Sequence, residues 1–68
     1  MFNKEQMIDI FKTTKNATIL DCNENVIRFS YRDSNRDMIY SEALQLSISY
    51  NVDVNTKNYE LSVTPKKF

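Results

Sequence analysis

Apolar and polar positions recur along this chain with two different periods, and the change from one to the other divides it. In the first segment Met7, Ile10, Phe11 and Thr14 trace one stripe at three- and four-residue intervals, widened by Ile8, which predicts an amphipathic helix over residues 4–15. Asn3 suits the N-cap. Gln6 stands at the third helical position of a capping box, and Phe2 and Met7 occupy the two positions of a hydrophobic staple. Glu5 and Asp9 lie toward the positive end of the helix dipole, Lys12 and Lys15 toward the negative end. Asn16 is expected to end the helix as a left-handed residue in place of glycine.

Beyond Asn16 the period becomes two. Residues 17–22 read as a short strand, Asn23, Glu24 and Asn25 as a turn, and residues 26–32 as a second strand with Ile27, Phe29 and Tyr31 on one face and Arg28, Ser30 and Arg32 on the other. A second turn falls at residues 33–36. Met38, Tyr40, Leu44, Leu46, Ile48, Tyr50, Val52 and Val54 then share one parity, broken by Glu42. This predicts either one long bent strand or two strands meeting near Glu42 and Ala43, in preference to a helical turn at residues 41–44. A third turn at residues 55–58 leads to a last strand with Tyr59, Leu61 and Val63 inward, ended by Pro65 and the charged pair Lys66 and Lys67. In all the turns asparagine is expected to supply the positive φ that glycine usually provides.

The pattern predicts a single α+β domain: one N-terminal helix on an antiparallel meander of four or five strands, with sequential neighbours paired. The expected inner face carries Ile27, Phe29, Tyr31, Tyr40, Leu46, Ile48, Tyr50, Val52, Leu61 and Val63. A twelve-residue helix is about 18 Å long and about 10 Å wide. Four strands span roughly 14–19 Å. One helix thus covers two or three strands, and curling of the sheet, a second copy or a partner must cover the rest.

Composition narrows the chemistry. The 68 residues contain no glycine and no histidine. Phosphate-cradling loops, dinucleotide fingerprints and nucleophile elbows are therefore excluded, along with the commonest general base and metal ligand. Cys22 is the lone cysteine, so no internal disulfide forms and a zinc site is not expected. A small core without a disulfide or metal favours stabilisation by association. Nine basic and nine acidic side chains cancel, removing any whole-molecule attraction to nucleic acid or an anionic membrane. No apolar run approaches a membrane span, and the N-terminus lacks a signal peptide's order, so a cytoplasmic protein without a membrane partner is expected. Eight asparagines among many lysines and isoleucines point to an AT-rich genome, that of a low-GC bacterium or its phage.

The remaining candidates are surfaces. The carboxylates fall in turns, on polar faces or on the helix, and Glu42 is expected to be a solvated carboxylate at a bend. Cys22 has no histidine to activate it and is expected to be a buried or half-buried thiol. No catalytic residue and no cofactor is predicted. Arg28, Arg32 and Arg36 cluster within nine residues, with Tyr31 interleaved, a pattern suited to phosphate or to an acidic protein surface. Ser47, Ser49 and Ser62 are expected on an outward sheet face that is polar, sparsely charged and easily desolvated. The sequence is read as a non-catalytic protein-binding module, a small regulator or inhibitor of a larger protein. A single-stranded nucleic-acid binder and a structural homo-oligomer are the alternatives.

Overall fold

The capping signals around Asn3 do what their spacing requires. The Asn3 side chain accepts the Gln6 backbone N–H at 2.8 Å, and the Gln6 side chain accepts the Asn3 N–H at 2.9 Å. These bonds start α1, Lys4–Thr13. The structure, a computed structural model, describes residues 1–66; Lys67 of the expected charged tail lies outside the described residues. Phe2 is buried and meets Tyr50 edge to face at 5.8 Å, which fixes how the chain enters the helix. The helix ends two residues earlier than its pattern predicts. Both the N–H and the hydroxyl of Thr14 donate to the Ile10 carbonyl, at 3.0 and 2.9 Å, so a side chain closes the helix in place of a left-handed Asn16.

Next come β1, Thr18–Cys22, and β2, Ile27–Ser30, paired antiparallel with a bulge between Ile19 and Asp21. The turn between them works differently from the expectation. Asn23 accepts the N–H groups of Asn25 and Val26 on its side-chain oxygen at 2.8 and 2.9 Å. Asn55 accepts those of Lys57 and Asn58 in the same way, at 3.1 and 3.3 Å. Among the described residues Tyr59, at φ 54°, is the one with positive φ. The asparagines thus replace glycine through their side-chain acceptors, as Asx turns, and not through left-handed backbone.

Residues 38–54 are neither one bent strand nor two. They form α2, Met38–Ser47, and most of β3, Tyr50–Asn55. Ile39, Glu42, Ala43 and Leu46 recur at i, i+3, i+4 and i+7 and are buried, which is a helical inner stripe. Residues 40–47 contain no β-branched side chain and include the strong helix formers Glu, Ala, Leu and Gln, whereas Val52 and Val54 resume strand chemistry. The even-numbered parity misled because every second even position, 40, 44 and 48, also lies on one helical face. Tyr40 and Ile48, expected in the core, are consequently exposed.

The last strand, β4, is Glu60–Pro65. The four strands lie in the order β1-β2-β4-β3, all neighbours antiparallel. The α+β class, the N-terminal helix and the antiparallel sheet are as the sequence predicts. The winding differs from sequential pairing, because α2 carries the chain from β2 to the far edge and β4 returns between them. The inner face pairs Ile27 with Val63, Phe29 with Leu61, and Val52 and Val54 with Val63 and Leu61. Phe11 of α1 meets Phe29 edge to face at 6.2 Å. Both helices cover this one face, and the opposite face, with Arg28, Ser62 and Asp53 in register, has no covering layer among the described residues.

Candidate functional site

The three arginines do not form one surface. β2 ends at Ser30, so Arg32 lies in the following turn and does not share a strand face with Arg28. Arg28 reaches across the open sheet face to Glu60 at 2.7 Å. Arg36 turns back toward its own loop. Its Nε–H donates to the Arg32 carbonyl at 3.2 Å, and its guanidinium stands 4.9 Å from the centre of the Tyr59 ring. Tyr31 is fully buried and presents no ring to a partner. Of the three serines, Ser62 alone lies on the open sheet face. Ser47 ends α2 with its hydroxyl on the Leu44 carbonyl at 2.7 Å, and Ser49 lies in the turn before β3. Cys22, expected to be at least half-buried, is exposed on the edge strand β1.

Glu42 is the largest departure at the level of single side chains. It is not a solvated carboxylate at a bend but a residue only 2% exposed on the inner face of α2. One carboxylate oxygen accepts the Tyr31 hydroxyl at 2.7 Å and the other accepts the Asn16 side-chain amide at 2.8 Å. Both oxygens are thereby partnered, which is what permits the burial. Burial first, then the bond to Glu42 and its negative charge, pushes the Tyr31 phenol well above its ordinary pKa of 10.0, so Tyr31 is held as the donor. The three residues tie α2 to the segment after α1 and to the end of β2. The Ser34 hydroxyl adds a bond to the Asn16 carbonyl. Glu42 and Asn16 also line an open hollow of about 440 Å³ with Lys12, Lys15 and Gln45.

The outward face of α2 has a different character. Tyr40, Leu44 and Ile48 are 56%, 71% and 79% exposed. They stand four residues apart and so lie as neighbours in one row along the helix. Ile48 keeps helical geometry, with φ −65° and ψ −39°, and extends the row past the last full turn. From Met38 to Ile48 the sequence holds one charged residue, Glu42, and it is buried. The rest of the exposed surface of α2 is Ser41, Gln45, Ser47 and helix backbone. Sequence reasoning placed Tyr40 and Ile48 in the core. The signal for the correct placement is the four-residue spacing in a stretch free of β-branched residues.

A second apolar area borders β1. Ile19 pairs with Phe29 and therefore faces the helix layer, yet it is 52% exposed because α1 does not extend over β1. Ile8 and Phe11, one helical turn apart on α1, continue this border. It is interrupted by the bulge after Ile19, which bends the edge away from regular pairing.

No protein-family model, no curated protein and no solved structure matches the chain. Among the described residues no helix is long and apolar enough to cross a membrane, and no group of three or more Cys, Asp or Glu side chains stands close enough to hold a metal.

Proposed function

We propose that this chain is a non-catalytic protein-binding module and that the outward face of α2 is its docking surface. The observation that supports this reading is the row Tyr40, Leu44 and Ile48, apolar, mostly exposed and free of neighbouring charge on its own helix. Singly scattered apolar residues on a surface are ordinary, but a contiguous row without charge is costly to leave in water and marks an interaction site. Its i, i+4, i+8 spacing is that of a helix presenting anchors to an apolar surface. A tyrosine at one end adds a large contact area with a polar tip, a frequent interface anchor.

The arginines give less support to nucleic-acid binding. Two of the three are engaged within the chain, Arg28 with Glu60 on the sheet and Arg36 with Tyr59 and the Arg32 carbonyl in the loop before α2.

The test is capture by immobilised full-length protein, with wild type compared against Leu44→Asp, Ile48→Asp and the double variant Arg28→Ala/Arg32→Ala. Far-UV circular dichroism confirms that each remains folded, as expected for substitutions at exposed positions. The expected result is a stoichiometric protein partner, another chain or a second copy, that is lost by about tenfold or more from the α2 variants and retained by the arginine variant. Equal capture by wild type and Leu44→Asp overturns the reading, and so does recovery of nucleic acid alone with binding lost in the arginine variant.

A further inference from the structure

We propose that the occupant of the α2 face is a second copy of this chain, packed about a two-fold axis that passes through Leu44. The proposal rests on the reading of α2 as a docking surface and names what docks there. The row is symmetric about its centre: Tyr40 and Ile48 stand four residues to either side of Leu44, all on continuous helical backbone. A two-fold rotation through Leu44 lays α2 antiparallel on its copy, with Leu44 against Leu44 and Tyr40 against Ile48 of the second copy. An isologous interface of this kind requires a patch complementary to itself, and a row spaced evenly about Leu44, apolar at both ends, can meet that requirement with the Tyr40 ring on Ile48 of the second copy. The i±4 ridge of each helix then packs into the groove beside the same ridge of the other at about −50°, the commonest helix-crossing class.

The charges at the two ends of the row agree with this arrangement. Asp37 precedes α2 at its N-terminal end and makes no side-chain capping bond. At the opposite end the Lys66 ammonium donates to the Ile48 carbonyl at 3.2 Å. Arg36, beside Asp37, is turned away onto the Tyr59 ring and the Arg32 carbonyl, so antiparallel packing brings the lysine end of each copy to the aspartate of the other and opposes the two helix dipoles. The chain's formal net charge is zero, so two copies do not repel.

The area is adequate for a reversible dimer. The three side chains expose on the order of 400 Å² of surface in one row. With the Ser41, Gln45 and Ser47 rim, two copies bury at most roughly 1,000 Å², the size of weak, transient interfaces. An interface of that size is expected to be weak, with association visible between the upper micromolar range and about 1 mM.

Sedimentation velocity on the full chain, from low micromolar to about 1 mM, tests this. Wild type is expected to shift from monomer to dimer across that range, and Leu44→Asp is expected to weaken the dimer roughly 30-fold or more with an unchanged circular dichroism spectrum. Ile19→Asp, on the β1 border, is expected to leave association unchanged. In a Cys22→Ser background, Leu44→Cys is expected to form a homodisulfide on mild oxidation, and a mixture of Tyr40→Cys with Ile48→Cys to cross-link with each other in preference to themselves. A wild-type monomer at about 1 mM overturns the proposal. So does a dimer that survives Leu44→Asp. The capture experiment then separates the two failures: a partner still lost in Leu44→Asp leaves the docking surface intact with a different occupant, and no dependence on Leu44 in either experiment removes both.

Discussion

The two helices are each ten residues long and pack on the same face of the same sheet, yet they are held in place by different means. α1 carries its instructions locally: a complete capping box, an acidic residue in its first turn, a basic one in its last. α2 has no side-chain cap bond, no acidic residue in its first turn and no basic residue in its last. A helix this short is unstable alone. α2 therefore exists because its inner stripe is buried and because Glu42 is bonded to Tyr31 and Asn16, which belong to other parts of the chain. α2's outward residues are therefore not needed to hold the helix, and Tyr40, Leu44 and Ile48 are available for the proposed docking role.

The largest expected effect separates the two sides of α2. Leu46→Ala, at a buried position, is expected to cost about 2–4 kcal/mol in urea unfolding of the monomer, and Leu44→Ala less than about 0.5 kcal/mol. Equal costs would break the distinction between an inner and an outer face. Next comes the buried polar cluster. Glu42→Ala leaves the Tyr31 hydroxyl and the Asn16 amide without their acceptor, and is expected to cost about 2–3 kcal/mol. A variant as stable as wild type would show that the cluster does not hold α2.

A pH dependence probes the same cluster. The folded state holds the Tyr31 proton more tightly than the unfolded chain does. The stabilisation is complete below the unfolded pKa near 10 and is lost as pH rises past it toward the higher folded value, with a slope of about 1.4 kcal/mol per pH unit from this group. Unfolding measured between pH 9 and about 11 should show that loss, and Tyr31→Phe should flatten it. The smallest effect contrasts the helix starts. Asn3→Ala is expected to cost about 1 kcal/mol, whereas Asp37→Ala, measured below the dimer range, should be close to neutral because no cap bond is lost.

The same contrast explains what could be read in advance. α1 was legible because Asn3, Gln6, Phe2 and Met7 act within a few residues of one another. The inner faces of β2 and β4 were legible because Ile27 and Phe29, and Leu61 and Val63, alternate with polar neighbours and contain β-branched residues. α2 was not, since its even positions satisfy a strand pattern and a helical row at once, and it lacks the terminal signals that would decide between them. The burial of Glu42 was not legible either. Its partners lie 11 and 26 residues away in sequence, and no local pattern brings Tyr31 and Asn16 to it. The docking row followed α2: with the segment read as strand, Tyr40 and Ile48 pointed inward.

Tyr59 carries a consequence for how this chain can change. Its backbone sits at φ 54°, a conformation that costs a non-glycine residue on the order of 1 kcal/mol. Its carbonyl receives the Tyr31 N–H at 2.8 Å, and its ring lies beneath Arg36, just ahead of α2. Position 59 thus combines two opposed physical demands. Glycine or asparagine would relax the main chain and release Arg36, loosening the approach to the second helix. An aromatic keeps that approach fixed and retains the local strain. Substitutions at this one site should therefore trade backbone ease against the aim of the distant row Tyr40, Leu44 and Ile48.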